Sequence, residues 1–165
     1  MYFAGIIADP KAMTVSDYDR WMDAAYFNML SDYVVAVTLS ESDIAQEVAD
    51  KWIASGEELR MSAGWSCYCW LLGNRLDVEF SEIKISNMFV SVKNTIHDSP
   101  VRTKSAKNNF LSTVGISYLP LHEKAVSIVE VKRDKKKSSL LNAYESIQKE
   151  VEKGKIGFKR KHVRC

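Results

Sequence analysis

The chain has 165 residues, a mass of 18.7 kDa and a formal charge of +2, with 46% hydrophobic and 27% charged residues, which is the balance of a soluble globular protein with a core that needs no disulfide staples. Seven Gly and three Pro are about half the usual share, so turns are few, and that argues for long helices and against a sandwich or barrel. Three cysteines, two of them in one C-x-C, exclude a disulfide framework and fit a reduced, cytoplasmic compartment; no apolar run is long enough to span a membrane, and no basic segment leads an apolar one as in a signal peptide.

The opening, Met1 to Asp9, is mostly apolar and uncapped, like the end of an element that packs on something before it. Thr14 with Asp17 forms a near capping box, and Tyr18, Trp21, Met22, Ala25 and Met29 continue at helical spacing to Ser31. Tyr33 to Leu39 is rich in β-branched residues, yet helices on both sides leave no room for a partner strand, so a short buried helix is expected. Ser42 is expected to cap a helix carrying Ile44, Ala45, Val48, Ala49 and Trp52, which ends at Ser55-Gly56.

Glu57 to Leu72 is apolar almost all round past Ser62, so it should be central, with Gly73 as its stop. Ser81 caps a helix with Ile85, Met88, Phe89, Val92 and Ile96 on one face. Ser99-Pro100 reads as an N-cap followed by a first-turn proline, opening a helix that runs to Gly115. A short helix over Leu121 to Val129, a lysine-rich loop from Lys132 to Lys137, and a helix from Ser138 to Lys153 complete a body of residues 1–154. Residues 155–165 form a basic tail.

The helix starts pair as 14/32, 43/57, 82/100 and 121/139, and the last three pairs repeat every 39 residues. HEAT-type helical pairs repeat at about 40–47 residues. The spacing predicts an all-α, α-α superhelix of HEAT-like pairs, a right-handed stack with a concave surface for a long ligand.

No phosphate-binding loop, dinucleotide fingerprint, zinc-protease motif, nucleophile elbow or EF-hand loop is present. The three histidines lie far apart, and Cys67 and Cys69 face apart on a helix, so no metal or cofactor is expected. Charge is the stronger signal. Residues 1–90 hold 14 acidic and 6 basic residues, whereas residues 91–165 hold 7 and 17, which suggests a polyanion partner for the second half.

Three groups are candidates for contact with it. Arg102, Lys104 and Lys107, followed by Asn108 and Asn109, lie near a helix N-terminus that favours anions. In the tail, Lys159, Arg160, Lys161 and Arg164 interleave with Phe158 and His162, a pattern suited to a nucleic-acid backbone. Trp65 and Tyr68 share one helical face with Trp70 turned away; at least one of these faces must be core, and the other is free to stack on bases.

The strings AGIIADP, SAGWSCY, TIHDSPVR with N-x-F and V-G after it, and the closing G-x-IG-x-KRK-x-x-RC together resemble the DNA alkylation repair family. These are AlkD-like HEAT-repeat proteins whose best-known members are glycosylases acting on alkylated purines. The resemblance implies a superhelix whose concave, positive face holds double-stranded DNA by its backbone, with Arg102 and Lys104 at the start of a DNA-facing helix. It implies aromatic side chains and an aspartate together on that face. Asp32 is the candidate catalytic acid, and Tyr33 is a base-stacking candidate beside it. In the family's pattern the acid stands a turn after a tryptophan; here Ala36 and Val37 stand one turn after Asp32 and Tyr33, so a non-catalytic DNA-binding module or a protein-interaction scaffold of the same fold is the alternative to a glycosylase. Relatives carry further helices upstream, so the apolar Tyr2, Phe3, Ile6 and Ile7 are a candidate self-association face.

Overall fold

The computed structural model describes residues 2–131 and 141–163. The lysine-rich loop, the expected helix start at Ser138 and the candidate Arg164 lie outside the described residues. Every regular element among those residues is helical: α1 Tyr2–Ile7, α2 Val15–Ala24, α3 Asn28–Leu30, α4 Ala36–Ser40, α5 Ala45–Ile53, α6 Glu58–Asn74, α7 Glu82–Thr95, α8 Val101–Ser117, α9 His122–Val131 and α10 Leu141–Glu152. A π-helical segment, Ser31–Val35, joins α3 to α4 without a break.

The expected pairs form. α5 packs on α6, α7 on α8 and α9 on α10, while α6, α8 and α10 pack in turn as an inner row. The outer row is tied by side chains: Lys84 of α7 reaches Asp50 of α5 at 2.6 Å, and Lys124 of α9 donates to Ser86 of α7 at 2.6 Å. α6 is central, as its all-round apolar sequence requires, with Ala63, Cys67, Tyr68, Leu71 and Leu72 fully enclosed.

Thr14 caps α2 through a complete capping box with Asp17, whose carboxyl is held at about 2 mainly by the Thr14 backbone and hydroxyl. α2 ends at Ala24, not at Ser31. Ala25 and Phe27 take extended backbone, and the adjacent Tyr26 and Phe27 rings meet at 4.9 Å outside the core. That turn lets Met22 and Ala25 stay buried while the next helical run packs back on α2.

Two caps differ from expectation because a serine hydroxyl also serves the helix behind it. Ser42 donates to Leu39 O at 2.8 Å and closes α4, leaving Ile44 as the α5 N-cap residue. Ser99 donates to Thr95 O at 2.9 Å, so Pro100 is the α8 N-cap residue. Gly73 does not stop α6, which runs on to Asn74; Arg75 then turns back and donates to Ser40 O and Ser42 O.

Candidate nucleic-acid interface

α6 and α8 are the longest helices of the inner row, at 17 residues each. Side chains three and four apart share a helical face. Ser66, Cys69, Trp70 and Gly73 on α6 and Asn109, Thr113 and Ile116 on α8 therefore form two parallel strips. Asp32 and Tyr33 from the π segment, Glu150 from α10, and Phe158 and Arg160 from the C-terminal arm complete a cleft of about 450 Å³. Insertions of π geometry are common at functional sites because the extra residue re-aims its neighbours; here it sets Asp32 on the cleft wall and leaves Tyr33 53% exposed beside it.

The arm is fastened by Lys159. Its ammonium donates to Leu72 O at 2.7 Å and to Ser117 O at 2.6 Å, and pairs with Asp77 Oδ1 at 2.7 Å. Leu72 and Ser117 sit in the last turns of α6 and α8, where carbonyls lack helical partners and a cation is favoured. Gly157 N–H donates to Ile116 O at 2.7 Å, and Arg160 N–H to Gly73 O at 2.8 Å. With Lys159 turned into the body, Phe158 and Arg160 on either side of it line the cleft. The Arg160 guanidinium lies 5.4 Å from the Trp70 ring centroid, a cation–π contact, and Trp70 meets Tyr33 edge-on at 6.4 Å.

Asp32 is 8% exposed. It accepts from Ser31 Oγ at 2.8 Å and from Ser62 Oγ at 2.7 Å. Burial raises its pKa against the pull of these hydroxyls and of the Arg102 charge.

Residues 6–147 match the family of DNA alkylation repair enzymes. The chain belongs to that family. It is 29% identical over 129 residues to an uncharacterized protein of Listeria innocua and 28% identical over 129 residues to one of Listeria monocytogenes, each alignment taking in 76% of this chain and 54% of the relative. The chain thus spans about half the length of these two relatives. A solved structure from a family described as new, related to the HEAT-like repeat DNA glycosylases and with affinity for branched DNA structures, is 75% identical. It superposes with a TM-score of 0.91 over 100% of this chain and 73% of its own.

The fold of this DNA alkylation repair family member unites some candidate residues and separates others. Asp32, Tyr33 and Arg160 share the cleft. Arg102 is exposed on α8, its backbone N–H donates to Glu58 at 2.8 Å, and its charge acts on Asp32. Lys161 is exposed on the arm.

Trp65 and Tyr68, candidates for stacking on bases, are 3% and 0% exposed and pack on Phe110 at 5.0 and 6.4 Å, so theirs is the core face of α6. Lys107 is buried: its ammonium donates to Thr95 Oγ1 at 2.8 Å and Ser99 Oγ at 2.7 Å, closing the end of α7, and burial lowers its pKa. Lys104 donates to His97 O at 3.0 Å. Asn108 turns its Oδ1 into the packing, where it has no partner among the described residues. Lys159 spends its donors on protein carbonyls.

Sequence reasoning passed over Glu150, and it noted Trp70 and Asn109 without assigning them to the site. The Ser62-Ser66-Trp70 and Asn109-Thr113-Ile116 spacings trace them, and the burial of Trp65 and Tyr68 decides the face. Among the described residues no three His, Cys, Asp or Glu side chains cluster as metal ligands, and no helix is long and apolar enough to cross a membrane.

Asp32 carries a pH prediction. Because its folded pKa is raised above the ordinary carboxylate value of 3.8, the folded state binds that proton more tightly than the unfolded state. Stability from this group is present below pH ~4 and is lost as pH rises through the folded value. Asp32→Asn is therefore expected to raise the urea midpoint at pH 7, with the gap closing toward pH 3. A gap that stays constant across this range overturns the assignment.

Proposed function

We propose that this chain binds DNA through its sugar–phosphate backbone, with phosphates along the cleft rim near Arg102, Arg160 and Lys161, and that it favours branched over continuous duplex. The observation that carries this reading is the cleft itself, which gathers Asp32 and Tyr33 from the π segment and Arg160 from the C-terminal arm around one concavity. Membership of the DNA alkylation repair family and the branched-DNA affinity ascribed to the 75% identical relative's family support it.

The test is a titration of continuous and four-way-branched DNA across salt. Binding is expected to weaken linearly in log salt, with the branched DNA bound more tightly. Arg102→Ala and Arg160→Ala are each expected to flatten the slope by ~0.9. A slope unchanged in both variants removes this rim from the interface.

The place of Asp32 on the cleft wall favours a second reading, release of alkylated purines, in which a carboxylate steadies the positive charge that develops at the sugar. Its hydrogen bond from Ser62, which fastens the π segment to α6, and the one from Ser31 within that segment support the binding role ahead of the reacting one. Base release from methylated DNA, abolished by Asp32→Asn, selects the second reading. Self-association through α1 belongs to the proposal as well. Gly5 packs on Val34, which leaves Phe3 and Ile7 79% and 82% exposed, with Tyr2 and Ile6 beside them.

A further inference from the structure

The interior of the cleft is chemically unlike its rim. Among the described residues, two carboxyl groups, those of Asp32 and Glu150, line it together with the guanidinium of Arg160, which already lies over Trp70. Glu150 accepts from Lys153 at 2.6 Å, and that bond holds its carboxyl below the usual range, so it stands as an anion. A phosphate entering this space would meet two acids, with Arg160 engaged over Trp70 and the Lys153 ammonium taken up by Glu150. What the space does offer is aromatic surface. Tyr33 and Phe158 are 53% and 63% exposed, two large rings left open to water on the walls of one concavity. The amide of Asn109 is exposed beside them, able to donate to and accept from the edge of a planar heterocycle.

From this we infer that the cleft takes one unpaired nucleobase, stacked on Phe158 and Tyr33, while the flanking phosphates stay on the rim. The inference rests on the DNA-binding reading and deepens it, because it says why a branch is preferred. A continuous duplex keeps its bases paired and stacked and has none to offer, whereas a bulge has already met most of the unstacking cost and the pairs at a branch point lose part of their stacking. Every base has a π-face, so the site selects for the unpaired state and not for sequence. Trp70 acts as a positioning residue, since its face is covered by Arg160, and it holds that guanidinium at the cleft wall.

The test uses the full chain and two DNA duplexes that differ only in whether one 2-aminopurine is paired or stands as a single-nucleotide bulge. The bulged duplex is expected to bind more tightly, with a saturable change in 2-aminopurine emission. Phe158→Ala and Tyr33→Ala are each expected to lower the affinity for the bulge relative to that for the paired duplex by about tenfold, with circular dichroism showing that each variant keeps its helical fold. Salt-dependent binding that is equal for the two duplexes, with no emission change, overturns the base site and leaves the DNA-binding reading standing. Bulge affinity unaltered by both substitutions does the same. Absence of salt-dependent binding to either duplex overturns both.

Discussion

Lys159→Met is expected to lower stability by about 3 kcal/mol and to weaken DNA binding through loss of the arm, without changing the number of phosphates contacted by residue 159. Methionine keeps much of the lysine stem but none of the donors. The loss strands Leu72 O, Ser117 O and the Asp77 carboxylate in a region where the lysine side chain is only 17% exposed. Hydrogen bonds to charged groups are worth ~1.5–3 kcal/mol each, and the partial exposure here discounts their sum. Urea denaturation reads the stability, and the salt dependence of DNA binding separates two origins for the binding loss. If Lys159 met a phosphate, as its place in a basic tail suggests, the variant would keep its stability and lose ~0.9 of salt slope. A fastening role predicts a large fall in the urea midpoint, with a slope change no larger than that of Arg160→Ala.

Gly64→Val is expected to cost 3 kcal/mol or more, while Gly73→Ala, on the same helix, is expected to gain about 0.5 kcal/mol. A Cβ on Gly64 would lie 2.7 Å from Ala49 O and 3.1 Å from Ile53 N, both backbone atoms of α5, and 2.8 Å from Ile53 Cγ1. Backbone cannot step aside as a side chain can, so α5 and α6 must part and the cores on either side of Trp52 and Cys67 lose their packing. Gly73 has nothing within 4 Å of its would-be Cβ, and an alanine near the helix end recovers backbone entropy while leaving the carbonyl that Arg160 uses. Thermal or urea midpoints of the pair check this. Equal effects would show that α5 and α6 do not approach as closely as described.

The starts of the helical pairs were legible in the sequence because capping and apolar periodicity are local. Thr14-Asp17 and Ser81 cap where they are expected, and the Ala45, Val48, Ala49, Trp52 stripe is buried. The β-branched stretch from Tyr33 to Leu39 is helical because α6 packs along it, not because of its own propensity. The candidate site was legible only in part, for two reasons. α6 is apolar on nearly every face, so no periodicity distinguishes the core side of Trp65 and Tyr68 from the cleft side of Trp70. A lysine in a basic stretch also reads as a solvent-facing charge until its partners are known. Those partners stand 12 residues from Lys107 in Thr95, and 87 and 42 residues from Lys159 in Leu72 and Ser117. The same long-range bonds turned two nominated DNA contacts into internal fastenings and brought Phe158 and Arg160 to the cleft.

A stack of helical pairs is elastic, since each repeat touches only its neighbours and small rotations at each joint add along the array. The joints here are unequal. One ammonium grips the terminal carbonyls of both α6 and α8, so those two repeats cannot rotate apart without breaking charged hydrogen bonds. The joint between α8 and α10 holds the close approach of Ile147 to Gly115, and the arm that follows α10 adds the bond from Gly157 N–H to Ile116 O. Curvature between the α6 and α8 walls of the cleft is therefore stiff.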